Sequence, residues 1–227
     1  MEAPTEAVLF DLDDTLCSYR RSAADVLEVA FEQAGVGPVF EPATYYGRYR
    51  EYLEKDVEFA DFHEQCFGDL AVEAGHDRAD GVAVARAFRE ERDQRNVEPL
   101  PGAMTVLDAF ADEYALGLVT NGHPEMQRQK LEAIEFLESF ETIVYAGCDT
   151  RPKPDPEPFS VALEALELEA ERAVYVGNSL SSDVAGARAA GVRSVWIPEA
   201  GSASEAPDPE PDYVLESLTD LRTPLWN

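Results

Sequence analysis

The stretch Ala7-Val8-Leu9-Phe10-Asp11-Leu12-Asp13-Asp14-Thr15-Leu16 decides the fold. Four apolar residues followed at once by carboxylates predict a buried central strand that ends in a polar site. In an open α/β sheet, ligands bind beyond the carboxyl ends of the strands. Asp11 and Asp13 are two residues apart, so both point to the same face if the strand continues. Because crowded carboxylates repel each other, the pair indicates a bound cation, acid–base chemistry, or both.

The charge of the chain is strongly negative. Asp and Glu total 46 against 18 Lys and Arg, which gives a formal net charge of −28. A field of this sign opposes nucleic acid, so we expect no nucleic-acid partner. The acidic residues are spread over periodic segments, and their repulsion is screened only at high ionic strength. We therefore predict a salt-rich cytoplasm, as in halophilic cells; the alternative is an acidic protein of an ordinary cell.

Length and composition predict one large domain, or a core domain with an insert. The chain has 227 residues, of which 45% are hydrophobic, and we expect neither a membrane span nor a secretory signal. Its three cysteines are odd in number and far apart, which disfavours a disulfide framework and a zinc site. These features fit a reducing cytoplasm. The sequence leaves open whether the protein is a monomer or a homodimer.

The second half of the chain alternates short apolar runs with segments of helical periodicity. This alternation predicts a doubly wound parallel α/β sheet. The predicted strands after the first are Leu116–Val119, Thr142–Tyr145, Ala173–Val176, Ser194–Ile197 and a short Tyr213–Leu215. The predicted helices between them span residues 102–113, 124–137, 157–168 and 180–190.

The block from Cys17 to about Glu98 contains no convincing strand. Helical stretches are predicted near residues 22–34, 42–53, 57–74 and 79–95. We therefore divide the chain into a catalytic core, residues 1–16 and 99–227, and a helical cap, residues 17–98. Such an insert is best interpreted as a lid over the sheet.

Polar residues at four predicted strand ends suit phosphoryl transfer. An aspartate can attack phosphorus, a second carboxyl can protonate the leaving oxygen, and a lysine can neutralise charge. Mg²⁺ shared by carboxylates and phosphate lets two anions approach each other. The residues in question are Asp11, Asp13, Thr120, Asn121, Lys153, the turn Gly177-Asn178-Ser179 and Asp183.

In these residues the chain resembles the haloacid dehalogenase-like hydrolase superfamily. Four segments are similar to its four motifs and stand in the same order: Asp-x-Asp-x-Thr at 11–15, Thr-Asn-Gly at 120–122, Lys-Pro at 153–154, and Gly-x-Ser with a later Asp at 177–183. The resemblance covers nearly the whole chain, including an all-helical cap after the first motif. The segment Thr120-Asn121-Gly122, followed by Gln127 and Lys130-Leu131, resembles the subgroup that holds nucleotidases and sugar-phosphate phosphatases.

The resemblance implies a role for each matching residue. Asp11 is the expected nucleophile and Asp13 the general acid and base. Lys153 is expected to pair with Asp11. The expected contacts to the phosphoryl group come from Thr120, Asn121, Gly122 and Lys153.

The resemblance also implies a Mg²⁺ ion. The expected ligands are the Asp11 carboxylate, the Asp13 backbone carbonyl, Asp183 and Asn178. Asn178 departs from the family pattern, which commonly has Asp at this position. Its side-chain oxygen can still ligate a hard cation but brings no charge, so we expect either Asn178 or Asp183 at the metal.

The sequence therefore predicts a Mg²⁺-dependent phosphatase that acts on a small phosphorylated metabolite through an aspartyl-phosphate. A sugar phosphate, a nucleotide or a phosphoglycolate type of substrate all remain open. One rival is a metal-independent 2-haloacid dehalogenase, although Asp13 argues against it. The other is a non-catalytic binding protein with a decayed site, which only Asn178 supports.

Overall fold

The structure is a computed structural model that describes residues 3–53, 59–199 and 207–226. The chain divides into two compact units. The first comprises Met1–Ser18 and Val97–Asn227, and the second comprises Tyr19–Asn96.

Eight strands lie in the described residues. They are β1 Ala7–Phe10, β2 Cys17–Tyr19, β3 Val97–Pro99, β4 Ala115–Asn121, β5 Thr142–Ala146, β6 Ala173–Gly177, β7 Arg193–Trp196 and β8 Tyr213–Val214. Six of them form one sheet in the order β5-β4-β1-β6-β7-β8, in which every neighbouring pair is parallel. The predicted parallel α/β sheet is therefore confirmed.

Eight α-helices lie in the same residues. They are α1 Ala23–Ala34, α2 Pro42–Leu53, α3 Phe59–Glu73, α4 Arg78–Glu91, α5 Ala103–Ala111, α6 Pro124–Ala133, α7 Glu157–Ala165 and α8 Ala185–Ala189. A π-helical turn, Leu180–Val184, runs directly into α8. Short 3₁₀ turns cover Leu137–Ser139, Ala170–Arg172 and Leu218–Arg222. None of the helices in the described part of the chain has the length and apolar composition needed to cross a membrane.

Strand β1 forms the centre of the first unit because it is apolar on both faces. All four of its residues are fully buried. Side chains alternate across a strand, and here Leu9 joins the core of α7 on one face. On the other face the ring of Phe10 lies 6.5 Å from that of Phe110 on α5. Helices thus cover both faces of the sheet, as in a doubly wound fold.

The strand order brings the polar strand ends together. Strand β1 lies between β4 and β6, and Phe10 aligns with Leu118 on one side and Val176 on the other. The residues that follow these three therefore reach the same edge of the sheet. From β1 the chain adds β4 and β5 on one side and then β6, β7 and β8 on the other, so the order of strand addition switches between β1 and β6. Open α/β sheets bind their ligands at such a switch point.

The second unit consists of α1–α4 around an aromatic core. Helix α1 begins at a capping box of Ser22 and Asp25 and ends at Gly35, whose φ of 70° favours glycine. The ring of Phe67 lies 4.9 Å from that of Phe40 and 5.3 Å from that of Phe88. These packed rings give the unit a core of its own.

Several details differ from the sequence prediction, among them the ends of helices: α6 stops at Ala133 and not at residue 137. The block predicted to lack strands contains β2 at its start and overlaps β3 at its end, and the two form a separate two-stranded sheet. Three-residue strands are too short to show alternation, so no pattern revealed them. The last helix of this block ends at Glu91 and not at Arg95. The segment from Leu180 begins as a π-helical turn and not as an α-helix.

Candidate active site

Asp11 lies at the carboxyl end of β1, where the strand opens into a pocket of polar groups. Its backbone N–H donates to Val176 O at 2.9 Å, which extends the pairing with β6 by one residue. The residue is 7% exposed. Its Oδ1 accepts from Lys153 Nζ at 2.8 Å, and its Oδ2 lies 3.4 Å from Thr15 Oγ1. A buried carboxylate is thus held by a cation on one oxygen.

Lys153 is the buried centre of this arrangement. Its ammonium lies 2.8 Å from Asp11 Oδ1, 2.7 Å from Asp183 Oδ1, 2.9 Å from Val119 O and 2.6 Å from the Tyr175 hydroxyl. Four acceptors therefore surround three ammonium protons. With this many partners the Lys153 side chain is fixed in one position.

Asp183 binds Lys153 from the turn that follows β6. Its Oδ2 accepts the backbone N–H of Ser179 at 2.9 Å. A Cβ atom on Gly177 would lie 2.6 Å from the Asp183 carboxyl, so only glycine leaves room for that carboxyl. Both Asp183 oxygens are engaged by protein groups; its contact with a metal stays a prediction.

Sequence reasoning missed Tyr175. Its hydroxyl lies 2.9 Å from Val119 O and 3.2 Å from Asp183 Oδ1, besides its contact with Lys153. Burial raises the pKa of Tyr175 well above its usual range, so the hydroxyl keeps its proton. In the sequence Tyr175 is one apolar-type residue of a buried strand. The signal in the sequence was its hydroxyl group, because a tyrosine on a buried strand needs a hydrogen-bond partner for that group.

The electrostatics of the pocket are unbalanced. Burial raises the pKa of Asp11 to about 7, although Lys153 opposes the shift. Burial alone would lower the pKa of Lys153, but Asp11 and Asp183 outweigh it and raise that pKa. One ammonium thus compensates two carboxylates. When Asp11 is ionised, the cluster carries one negative charge in excess, which a cation could neutralise.

Asp13 binds a different lysine. Both of its carboxylate oxygens accept from Lys130 Nζ, at 2.7 and 2.8 Å, and Oδ2 also accepts from Gln127 Nε2 at 2.9 Å. Lys130 is 3% exposed, whereas the Asp13 side chain is 34% exposed. In the sequence, Gln127 and Lys130 stood out only because they resemble residues of one subgroup of the superfamily. The structure connects both to the expected acid and base.

The residues of the Thr-Asn-Gly motif support the partners of Asp11 and Asp13: Asn121 contacts Lys153, whereas Thr120 and Gly122 lie next to Gln127. Thr120 Oγ1 accepts from Gln127 Nε2 at 2.7 Å. The Asn121 side chain accepts the Lys153 N–H at 2.8 Å and donates to Lys153 O at 3.2 Å, so it fixes the lysine segment. Gly122 has a φ of 144°, and a Cβ there would lie 3.1 Å from the Gln127 amide. Their contacts with substrate stay predictions.

The donor atoms of the pocket fit a hard cation such as Mg²⁺. Thr15 Oγ1 lies 3.4 Å from both Asp11 Oδ2 and Asn178 Oδ1, but it has one proton to donate. Asp11 Oδ2 and Asn178 Oδ1 therefore share a single hydroxyl donor, next to the two carboxylates that Lys153 pairs with. In the described residues no three His, Cys, Asp or Glu side chains gather as a metal cluster. A metal here needs the Asn178 amide, backbone oxygens or water, all of which Mg²⁺ accepts.

Seven of the eight residues predicted to act in catalysis, substrate binding or metal binding are joined by hydrogen bonds, directly or through Thr15 and Gln127, and the eighth, Gly122, lies against Gln127. Asp11, Lys153 and Asp183 touch directly, and Asn178 joins Asp11 through Thr15. Asn121 links the backbone of Lys153 to Gln127, and Gln127 in turn contacts Asp13 and Thr120. The linked group of strand-end residues is Asp11, Asp13, Thr120, Asn121, Gly122, Lys153, Asn178 and Asp183.

Comparison with known proteins shows relatives over most of the chain. The family model of the haloacid dehalogenase-like hydrolases matches residues 8–197. The chain is 31% identical to a phosphoserine phosphatase of Thermus thermophilus, over 94% of this chain and 96% of that protein.

Two solved structures have a similar fold. A crystal structure of the Bacillus subtilis protein YfnB, bound to magnesium, has a TM-score of 0.78 and 22% identity, and covers 96% of this chain and 97% of its own. A 2-haloacid dehalogenase of Pseudomonas syringae has a TM-score of 0.65 and 26% identity, with 96% of each chain covered. With the family model matching most of its length, the chain belongs to the haloacid dehalogenase-like hydrolases.

Proposed function

We propose that the protein is a phosphatase that hydrolyses a small phosphorylated metabolite through an aspartyl-phosphate at Asp11. The observation that carries this proposal is the buried contact between Asp11 Oδ1 and Lys153 Nζ at 2.8 Å. Lys153 orients the nucleophile and neutralises charge as the phosphoryl group approaches. The likeness to a phosphoserine phosphatase supports a phosphate monoester as substrate.

The first step transfers the phosphoryl group to the enzyme. A carboxylate oxygen of Asp11 forms a bond to phosphorus while the bond from phosphorus to the leaving oxygen breaks. Asp13 supplies a proton to that oxygen, so the alcohol leaves neutral. Thr120 Oγ1 accepts a hydrogen bond from the Gln127 amide, which leaves the Thr120 hydroxyl proton free to be donated to a phosphoryl oxygen.

The second step returns the enzyme to its starting state. Asp13, now ionised, takes a proton from water as the water oxygen bonds to phosphorus. The bond from phosphorus to Asp11 breaks, and the Asp11 carboxylate is regenerated as phosphate leaves. One water is consumed for each ester cleaved, and Asp13 regains its proton.

We further propose that Mg²⁺ is held by the Asp11 carboxylate, the Asp13 backbone carbonyl and Asn178, with Asp183 beside them. The magnesium described for YfnB and the converging oxygens around Thr15 support this assignment. When bound, the ion neutralises the negative charge of phosphate and carboxylate so that they can meet. Lys153 supplies only one of the positive charges that this encounter needs.

The rival reaction is the displacement of halide from a 2-haloacid, which the structural likeness to a dehalogenase keeps in view. Halide leaves without a proton, whereas an alkoxide requires one. The Asp13 carboxyl, held by Lys130 and Gln127, is therefore needed as an acid in the first step of phosphate hydrolysis, whereas the displacement of halide needs no such acid. This difference favours the phosphatase.

We also propose that residues 17–98 act as the cap that selects the substrate and excludes water, with the core in residues 1–16 and 99–227. The helical unit has its own aromatic core, which supports an independent role. A cytoplasmic location and a monomeric or homodimeric state remain predictions of the sequence.

The test is a paired assay in molar KCl with MgCl₂. We expect phosphate release from p-nitrophenyl phosphate and from members of a panel of phosphorylated metabolites, and no halide release from 2-chloropropionate. Removal of metal by a chelator should stop hydrolysis. Halide release without phosphate release would identify a dehalogenase, and neither release from folded protein would favour a binding protein.

A further inference from the structure

Helix α6 presents two polar side chains to the carboxylate of Asp13. Gln127 and Lys130 are three residues apart, so they share one face of the helix. Both are buried, at 1% and 3% exposed, on the same side of α6 as the buried Leu131. Keeping an ammonium and an amide out of water is costly unless each has partners. Here the shared partner is Asp13.

The Lys130 contact fixes the plane of the Asp13 carboxylate. Its Nζ lies 2.7 Å from Oδ1 and 2.8 Å from Oδ2, so one ammonium bridges both oxygens. Gln127 adds a third contact, to Oδ2 at 2.9 Å. Three contacts from two buried donors restrict rotation of a side chain that is itself one-third exposed to solvent.

Gln127 also connects Asp13 to the Thr-Asn-Gly motif. Its Nε2 lies 2.7 Å from Thr120 Oγ1 and 3.3 Å from Asn121 O. A carboxylate and a backbone carbonyl only accept, so the nitrogen of the amide must face them. Gly122 leaves the space for this amide, because a Cβ there would lie 3.1 Å from it.

We propose that Lys130 and Gln127 are positioning residues that hold Asp13 where it exchanges protons with the leaving group and with water. Gln127 couples this orientation to that of the Thr120 hydroxyl. This inference rests on the proposed function and deepens it, because Lys130 and Gln127 contact Asp13 and Gln127 also contacts Thr120. Both act through Asp13 and Thr120.

The two chemical steps depend on Asp13 to different degrees, which gives a distinctive signature. p-Nitrophenolate is a good leaving group and departs from phosphorus without an added proton. Attack of water on the aspartyl-phosphate still needs Asp13 as base. A displaced Asp13 therefore leaves the first step nearly intact and slows the second. The aspartyl-phosphate then accumulates, which appears as a burst of product.

The experiment is rapid mixing of p-nitrophenyl phosphate with the full-length Lys130→Met protein in MgCl₂ and molar KCl. We expect a burst of about one p-nitrophenolate per active site, followed by a steady rate about 100-fold below that of the unaltered protein. An alkyl phosphate should show the loss without a burst. Arg128→Met is the matched control, because Arg128 lies on the same helix and pairs with Glu132 at the surface. It should behave like the unaltered protein.

Gln127→Leu gives a second route if Lys130→Met fails to fold. It removes the neutral donor and leaves the lysine, so we expect a smaller burst and, because Thr120 loses its partner, a raised KM. A steady rate within about threefold of normal in Lys130→Met, or in Gln127→Leu where Lys130→Met does not fold, would overturn the proposal. A fall without a burst would also overturn it, since damage to the whole site slows both steps. If the unaltered protein releases no phosphate, the proposed function itself fails.

Discussion

The ammonium of Lys153 lies midway between two carboxylates, 2.8 Å from Asp11 Oδ1 and 2.7 Å from Asp183 Oδ1. All three residues are at least nine-tenths buried. One positive charge therefore stabilises two negative charges in a place where water does little. The arrangement holds the expected nucleophile and leaves a negative charge for a cation to neutralise.

Replacement of Lys153 by Met should destabilise the fold as well as stop catalysis. Two buried carboxylates lose the ammonium that pairs with both of them, and breaking a buried ion pair costs about 3–5 kcal/mol. Turnover should fall by about 1,000-fold. Urea unfolding and phosphate release measure the two effects. Lys153→Met combined with Asp183→Asn keeps the net charge of the pocket, so it should recover stability but not activity. Recovery of both would contradict a role for Lys153 in the reaction.

Asn178→Asp should strengthen metal binding. The Asn178 oxygen shares Thr15 with Asp11 Oδ2, and a carboxylate at the same place adds a charge that a hard cation favours. We expect the Mg²⁺ concentration for half-maximal activity to fall about tenfold. The Mg²⁺-dependent rise in thermal unfolding temperature should shift to lower concentration in parallel. If neither changes, the metal does not contact position 178, and Asp183 becomes the better candidate ligand.

Salt should stabilise the protein. A net charge of −28 repels itself in the folded state, and at 1 M salt the screening length falls to about 3 Å. We expect the unfolding temperature to rise by about 5 °C or more between 0.1 and 1 M KCl. Above 1 M KCl the unfolding temperature should rise little further through screening, because the screening of the surface charges is then nearly complete. An unfolding temperature that is flat or falls over this range would contradict a salt-adapted surface.

Acid should destabilise the helical unit through His63. This side chain is 5% exposed among aromatic rings, its Nε2 is 3.4 Å from the Tyr45 hydroxyl, and Arg89 and Arg92 are the charges that act on it. Burial, helped by those arginines, lowers the pKa of His63 from 6.5 to about 4. A lowered histidine pKa means that the neutral ring is favoured in the folded state. Its stabilising effect is therefore complete above pH 6.5 and is lost as the pH falls towards 4.

Urea unfolding at several pH values tests this effect. From pH 7 to pH 5 the free energy of unfolding should fall by about 2 kcal/mol more in the unaltered protein than in His63→Gln, which does not titrate in this range. Equal slopes in the two proteins would show that the ring becomes charged without cost, in disagreement with its burial.

The fold could be predicted because the apolar runs are short, buried and separated by helical periods. Each of the six sheet strands coincides with a run such as Ala7–Phe10, and the carboxyl ends of parallel strands share one edge. The gathering of Asp11, Thr120, Lys153 and Asp183 follows from that geometry. Short β2 and β3 could not be predicted, because three residues carry too little pattern.

The partners of the site residues were harder to predict than the residues. Tyr175 has the character of a core residue in sequence, and its bonds to Lys153 and Asp183 depend on side-chain packing across two strands. The contact of Lys130 with Asp13 joins residues 117 positions apart. No local pattern encodes such a pairing. The roles of these residues in catalysis remain predictions.

The covalent intermediate on Asp11 is the central claim, and chemical trapping tests it most directly. Enzyme in excess over an aryl phosphate is quenched within one turnover and treated with borohydride, which reduces an acyl phosphate to an alcohol. Mass spectrometry of the peptide that holds position 11 then identifies the product. Asp14→Asn serves as the matched control, because Asp14 is exposed in the same loop.

We predict homoserine at position 11 in the unaltered and Asp14→Asn proteins, and none in Asp11→Asn, which should lose activity by about 10⁴-fold. Rapid phosphate release with an unreduced Asp11, or homoserine at another aspartate, would contradict the account.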